Sequence, residues 1–408
     1  MNITLHKSKV ANRKSKITIT GSKSESNRLL LLQAMYPEIQ IENLSNSEDS
    51  QLMQKAFVDD NGIVDIHHAG TAMRFLTAYF AIQENRETIL TGSSRMQERP
   101  VKILVEALKN LGADIQYVEN EGFPPIKING KKLTKNKVTL KANVSSQYIS
   151  ALLLIASKLE NGLELTLDGE ITSVPYIKMT LSLLDQIGVK SSFNGNIITV
   201  EPKINNQQPT TIFVESDWSS ASYFYSIVAL SDIETEITLS YYKENSLQGD
   251  SVLAEIYKSF GVQTTFEENS VKLKKVSRSY SHFTFNLIKA PDIAQTIAVT
   301  CLALGIECIL SGLHTLKIKE TDRLIALKTE IEKLGGTIDV TDNSLHLKAE
   351  TSIKESVSVA TYKDHRMAMA FAPLALRVPI IIEEANVVSK SYPDFWNDLN
   401  TIGFNIEK

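Results

Sequence analysis

LSLLDQIGVKSSFNGNIITV, residues 181–200, decides the fold. It opens with apolar side chains at helical spacing, breaks at Gly188, and continues as two short alternating runs that turn through Asn194-Gly195. A glycine there suits the position just past a helix, where φ is positive and other residues are strained. The same order recurs as LVEALKNLGADIQYV…PIKING at Gly112, VLAEIYKSFGVQTTFEENSVKL at Gly261 and LKTEIEKLGGTIDVTDNSLHLK at Gly335. It returns in part as FWNDLNTIGFNIEK at Gly403. These glycines lie 76, 73, 74 and 68 residues apart, so the chain reads as a repeat of about 70 residues. An earlier copy, around Leu52 to Gly62, is shortened and lacks the strand–turn–strand pair. The whole is a mixed α and β (α+β) protein of roughly six units, three per domain.

The stretch Glu215-Ser216-Asp217 divides the units three and three, and a first strand is expected over Ile17 to Thr20. This predicts a discontinuous domain of residues 1–21 plus 215–408, an inserted domain of 22–214, and a hinge with a cleft where the chain crosses twice. A chain of 408 residues agrees with about two domains.

Composition narrows the function. The net charge of −4 gives no general attraction to nucleic acid or to an anionic membrane, so any anion binding is local. The start, MNITLHKSKV, has no apolar signal-peptide core, and no apolar run reaches the roughly 18 residues of a membrane span, so a cytoplasmic protein is expected. Cys301 and Cys308 sit in CLALGIECIL, with neither disulfide nor metal spacing, and read as small buried hydrophobes. His67-His68 has no partner at ligand spacing, so no metal is expected.

Several cationic, small-residue motifs stand where long apolar helices begin. They are Gly21-Ser22-Lys23-Ser24-Glu25-Ser26-Asn27-Arg28, Gly70-Thr71-Ala72-Met73-Arg74, Ser145-Ser146-Gln147 and Asp364-His365-Arg366. Helix N-termini present free N–H groups and a partial positive charge, which suits anions. Six of the ten arginines (Arg28, Arg74, Arg95, Arg99, Arg323 and Arg366) fall in motifs, and Arg is the better bidentate partner for carboxylate and phosphate. The pattern points to small substrates carrying several negative groups.

Each motif also has a plainer reading. Ser22 and Glu25 fit a capping box. Arg95 and Arg99 in the loop before Pro100 suit a carboxylate clamp or a salt bridge with Glu98. On a helix Lys319 and Arg323 would share a face, needing an anion between them, with Glu320 as a proton donor or acceptor. Asp292 fits an N-cap for the helix that follows it, and Lys390 reads by default as a surface lysine.

Taken together the motifs resemble those of the 5-enolpyruvylshikimate-3-phosphate (EPSP) synthases. The resemblance runs in order along nearly the whole chain: GSKSESNR, AGTAMR, RMQERP, VSSQY, SVPYI, ESDWSSASYF, NSLQGD, PDIAQT, KIKETDRL, YKDHRMAM and SKSYPDF. It implies the two-domain enolpyruvyl-transferase fold (an inside-out α/β barrel or prism of βαβαββ-type units), with the active site between the domains. It implies transfer of the enolpyruvyl group of phosphoenolpyruvate to the 5-hydroxyl of shikimate 3-phosphate, releasing phosphate through a tetrahedral adduct, with no cofactor. By matched position, Lys23, Ser24, Arg28, Ser145, Ser146, Gln147, Ser173, Tyr176, Asp292, Thr315 and Lys319 would hold shikimate 3-phosphate. Lys23, Gly70, Thr71, Arg99, Gln147, Arg323, Arg366 and Lys390 would hold phosphoenolpyruvate. Lys23, Asp292, Glu320 and His365 would form the catalytic set. The resemblance also implies a monomer.

Three positions depart from the family pattern: His68 replaces the usual Asn, Phe75 the usual Pro, and Thr315 a frequent Asn. The shortened unit is expected to remove surface structure and leave the site. The sister enzyme acting on UDP-N-acetylglucosamine usually carries a reactive loop Cys, which RMQERP lacks. The RNA 3′-phosphate cyclases share the repeat but not the motifs. An inactive paralogue is disfavoured by the presence of Lys23, Asp292 and Glu320.

Overall fold

The computed structural model describes residues 1–11, 14–142, 145–169, 171, 174–203, 210–278, 282–349 and 352–408. The chain forms two compact units, Gly21–Val214 and Met1–Thr20 with Glu215–Lys408.

Three helices make the centre of the inserted unit: α1 (Lys23–Met35), α2 (Gly70–Ala81) and α3 (Ser146–Ala156). Helices α2, α3 and the second half of α1 are apolar around nearly their whole circumference. Leu29 to Leu32 are all buried, as are Ala72 to Ala81 and Tyr148 to Ala156. A helix with no polar face must be covered on all sides. The helices pack on one another and the strands lie outside them.

Two four-stranded sheets share one pattern in this unit. Ile63–Asp65 runs parallel to Glu87–Thr91, which pairs antiparallel with the hairpin Ile126–Asn129 and Asp114–Tyr117. Lys137–Lys141 runs parallel to Leu163–Asp168, followed by Ile197–Val200 and Ser191–Asn194. Among the described residues the third sheet has only the parallel pair Thr210–Phe213 and Ile39–Glu42. This is the shortened unit: after helix Glu48–Val58 the chain passes directly to Ile63–Asp65. Gln40 and Glu42 are exposed on that short strand, and polar side chains discourage pairing at an open edge.

The discontinuous unit repeats the plan. Its core helices are α4 (Trp218–Leu230), α5 (Ala294–Leu304) and α6 (His365–Phe371), the last continuing as a 3-10 turn, Ala372–Leu376. Among the described residues it has three four-stranded sheets. The partial repeat at Gly403 supplies only Ile406–Glu407, and the N-terminal strand Ile3–Leu5 completes that sheet between Ile406–Glu407 and Ile380–Ile382. The strand expected over Ile17 to Thr20 is instead Lys14–Ile17, set by its parallel register with Glu236–Leu239. Cys301 and Cys308 are buried. No helix among the described residues is long and apolar enough to cross a membrane.

The glycines that marked the repeat all have positive φ: Gly112 at 111°, Gly188 at 76°, Gly261 at 74°, Gly335 at 95° and Gly403 at 106°. At Gly261 an added Cβ would lie 2.1 Å from the Ser277 carbonyl oxygen, whereas at Gly112 its nearest neighbour would be 3.6 Å away. Gly112→Ala is therefore expected to cost only the backbone strain, about 1–2 kcal/mol. Gly261→Ala should cost about 3 kcal/mol or more because backbone must also move. Urea denaturation of the two variants measures the order.

Candidate functional site

In the inserted unit the three core helices start at one end. Gln147 at the start of α3 donates from Nε2 to the hydroxyl of Thr71 at the start of α2, 3.1 Å. One turn further in, Arg28 of α1 donates to Ser150 of α3 (2.9 Å) and to Thr180 (2.8 Å), and lies 5.3 Å from the ring centroid of Phe75 of α2. Three N-termini thus face the same way, and their partial positive charges add. Ser145 is the N-cap of α3 and accepts from the Gln147 N–H. Ser146, Gln147 and Tyr176 are half-buried beside this end. Ser173 lies outside the described residues.

Lys23 opens α1 and pairs with Asp49, 3.4 Å, a buried carboxylate at the start of helix Glu48–Val58. Ser24 follows it, and its carbonyl accepts from Arg28 at 2.6 Å. Burial pulls the Arg28 guanidinium down to about 10, so it stays charged at neutral pH. Arg99 lies directly over Gly70: an added Cβ there would be 2.4 Å from Arg99 Nη1. Arg74 donates to the carbonyls of Gly70 and Pro100, both 3.0 Å, and the Tyr148 hydroxyl donates to the same Pro100 carbonyl at 2.7 Å. The loop carrying Arg99 is therefore anchored to α2 and α3. Arg95 instead forms an exposed pair with Glu98, 2.7 Å.

The discontinuous unit gathers a denser charge cluster at the starts of its own core helices. Asp292 receives Arg323 at 2.8 Å, Lys319 at 3.2 Å and Arg366 at 3.6 Å. Arg366 also donates to the Asp292 carbonyl, 3.2 Å, and to the Ser219 hydroxyl at the start of α4, 3.1 Å. Arg323 donates to Glu320 at 2.9 Å and grips Asp364 through two bonds, 2.6 and 3.3 Å. Asp364 is the N-cap of α6, fully buried, and accepts the Arg366 N–H as well. His365 is buried beside it, with Nδ1 3.8 Å from Asp364. Lys390 donates to the Lys363 carbonyl at 2.9 Å. Thr315 is half-buried and its hydroxyl has no hydrogen-bond partner among the described residues.

Burial alone would push the Asp292 carboxyl up, but Lys319, Arg366 and Arg323 outweigh it and hold the group below the usual carboxylate range. Burial would likewise weaken the arginines. Asp364, Glu320 and Asp292 hold Arg323 above its ordinary value, and Asp292, with Tyr223, Asp250 and Asp217, does so for Arg366.

Three local expectations change. Lys319 and Arg323 do not share a helical face, because Lys319 ends the 3-10 turn His314–Ile318 and Asp322 caps the helix Arg323–Lys333. They meet on Asp292 instead. Asp292 is not an N-cap: it lies inside the 3-10 turn Pro291–Ile293, and Ile293 precedes α5. Ser22 is the N-cap of α1, but its side chain makes no cap hydrogen bond. Of the departures, His68 bonds Ser93 at 2.6 Å, and Phe75 packs under Arg28.

Asp49, Asp364, Ser219 and Asp250 were not picked out from sequence. Each neutralises or orients a predicted cation; only Asp364 shares a motif with a basic residue, and the others carried no such signal. Among the described residues no group of three His, Cys, Asp or Glu is placed to hold a metal ion.

A family model for EPSP synthase (3-phosphoshikimate 1-carboxyvinyltransferase) matches residues 54–399. The 3-phosphoshikimate 1-carboxyvinyltransferase of Bacteroides fragilis (strain YCH46) is 48% identical over 399 residues, covering 97% of this chain and 96% of its own. That of Haemophilus influenzae (strain PittEE) is 34% identical over 419 residues, covering 95% and 96%. Among solved structures, EPSP synthase from Acinetobacter baumannii matches with a TM-score of 0.80 at 21% identity, covering 100% of this chain and 99% of that one. The enolpyruvyl transferase NikO from Streptomyces tendae matches at 0.76 with 12% identity, covering 100% and 98%. At these identities the structural likeness speaks for the fold: a two-domain enolpyruvyl-transferase architecture.

Because Asp292 is held below the unfolded carboxylate value, its contribution to stability is present at neutral pH and is lost only as pH falls below about 4. Asp292→Asn at pH 7 leaves three cations facing one another and should cost about 3 kcal/mol. Added inorganic phosphate should restore more of the melting temperature in the variant than in the native chain. Thermal scans with and without phosphate read both effects.

Proposed function

We propose, for a chain that belongs to the EPSP synthase (3-phosphoshikimate 1-carboxyvinyltransferase) family, that its two sets of helix-start residues serve the two substrates of one reaction. The enzyme transfers the enolpyruvyl group of phosphoenolpyruvate to shikimate 3-phosphate in the shikimate pathway. The observation that carries the residue assignment is the convergence of Lys319, Arg323 and Arg366 on Asp292, beside Glu320.

In this reading Arg323, Arg366, Lys390 and Arg99 take the carboxylate and phosphate of phosphoenolpyruvate, with Gly70 and Thr71 at its edge. Ser24, Arg28, Ser145, Ser146, Ser173, Tyr176, Thr315 and Lys319 take shikimate 3-phosphate, and Gln147 and Lys23 touch both. Without substrate, Asp292 holds a share of three positive charges. When phosphoenolpyruvate takes its part of Arg323 and Arg366, the proton affinity of Asp292 rises. The carboxylate then becomes a better base for the 5-hydroxyl, at the moment a base is needed.

Glu320 gives a proton to the methylene carbon, which makes the neighbouring carbon electrophilic, and the 5-oxygen attacks that carbon. The tetrahedral adduct forms as Asp292 takes the hydroxyl proton. Elimination returns a methyl proton to Glu320 and breaks the C–O bond to phosphate, which takes up the proton held by Asp292 and leaves among cations that stabilise its charge. Lys23 assists proton movement, and His365 supports the set. Proton transfer and charge stabilisation are all the reaction asks, and these side chains supply both, so the reading needs no metal or organic cofactor. It includes a cytoplasmic monomer, in line with the family resemblance and with small-molecule substrates.

Phosphate release by the purified protein tests the reading. Release should require both substrates together and should be lost in Lys23→Ala. Glu320→Gln should lower kcat by about 100-fold or more while both substrates still raise the melting temperature. Unchanged turnover in Glu320→Gln would remove the proposed proton role.

A further inference from the structure

Two motifs have no part in the reaction so far: Glu215-Ser216-Asp217-Trp218-Ser219 and Asn245-Ser246-Leu247-Gln248-Gly249-Asp250. In the discontinuous unit they dock on each other. Gln248 accepts the Trp218 backbone N–H at 2.9 Å and donates to the Ser216 carbonyl at 2.8 Å. Glu215 accepts from the Ser246 hydroxyl at 2.7 Å, the Trp218 indole N–H at 2.8 Å and the Lys243 backbone N–H at 2.9 Å. The bonds set one loop against the start of α4. They bring Asp250 to Ser219, whose hydroxyl donates to Asp250 Oδ2, while Arg366 Nη2 donates to the same Ser219 oxygen at 3.1 Å. Asp250 is 3% exposed, and its Oδ1 has no hydrogen-bond partner among the described residues. A buried carboxylate with an unused oxygen is costly and calls for a reason.

We infer that Asp250, acting through Ser219, is a positioning residue that fixes the direction of the Arg366 guanidinium for phosphoenolpyruvate. The inference rests on the role proposed above for Arg366. Its chemistry is a three-part relay: carboxylate, hydroxyl, guanidinium. The hydroxyl spends its one proton on Asp250, so its lone pairs stay turned toward Arg366. A neutral residue at position 250 frees the hydroxyl to rotate, and the guanidinium loses a fixed acceptor.

Burial pushes Asp250 up to about 6, opposed by Arg366 and the Ser219 hydroxyl and reinforced by Asp292 and Asp217. Asp250 is therefore charged at pH 8 and neutral below about 6. The sign of linkage separates this role from a structural one. A carboxyl raised above its unfolded value loses stability as pH rises through the folded value, so removing the charge should not destabilise the protein at pH 8.

The experiment is steady-state kinetics of Asp250→Asn, Ser219→Ala, Ser219→Thr and Arg366→Lys across about pH 5.5 to 8.5, with melting temperatures. Asp250→Asn should raise KM for phosphoenolpyruvate about tenfold at pH 8 and move KM for shikimate 3-phosphate far less. The ratio of variant to native KM, which cancels titration of the substrates themselves, should fall toward one as pH drops through about 6. Ser219→Ala should behave alike, Ser219→Thr should restore the native value, and Asp250→Asn should melt no lower than the native chain at pH 8. An unchanged KM at pH 8, a ratio constant with pH, or a lower melting temperature with equal losses for both substrates would each overturn the inference. Arg366→Lys with unaltered KM for phosphoenolpyruvate would instead defeat the assignment of Arg366 itself.

Discussion

A helix with no polar face can exist in water only if other chain surrounds it, and that requirement shapes both units. Once α1, α2 and α3, or α4, α5 and α6, are buried together, the sheets have one place left, outside them. The N-terminal ends of these helices collect unsatisfied N–H groups and positive potential. Lys23, Gly70, Gln147, Ser219, Asp292 and Arg366 all stand at or just before such starts. Polar groups buried further along, such as Arg28, Ser150 and Thr300, are spent on hydrogen bonds within the core, so the starts are where polar groups remain for the binding proposed above.

The charge cluster of the discontinuous unit shows what such a place demands. Arg323 is almost wholly buried and is satisfied by three carboxylates, from Asp292, Glu320 and Asp364. A planar guanidinium can divide its donors among several partners in fixed directions, which a lysine ammonium cannot do. In a chain that uses lysine over most of its surface, arginine appears where direction counts. The buried acids do more than neutralise: Asp364 fixes the Arg323 guanidinium and the start of α6 at once.

Much of this was legible beforehand, for definable reasons. The glycines at 112, 188, 261, 335 and 403 announced the repeat because a positive φ restricts residue choice more sharply than any strand or helix preference does. The missing hairpin after Glu48–Val58 was visible as a gap in that spacing. The arginines gathered near the helix starts were legible because arginines are few and cluster in motifs. Backbone detail between elements was not. Lys319 and Arg323 read as helical neighbours, yet Asp322 starts a helix between them and Asp292 draws both together from about thirty residues away, a contact that spacing cannot express. Partners such as Asp49 and Asp250 were hidden for the same reason: an acid matters here through where the fold brings it.

The N-terminal strand Ile3–Leu5 lies between Ile380–Ile382 and Ile406–Glu407. During synthesis Ile3–Leu5 must wait, unpaired, until its partners at 380–382 and 406–407 have been made. The inserted unit, Gly21–Val214, meanwhile emerges as one uninterrupted segment. Domains that emerge whole can fold on the ribosome, so vectorial growth favours the inserted unit as the early folder and leaves the discontinuous unit to close once residues 380–407 are made. A chain lacking Ile406–Glu407 would leave that sheet without an edge strand and the backbone of Thr4 and Leu5 open to whatever chaperone is at hand.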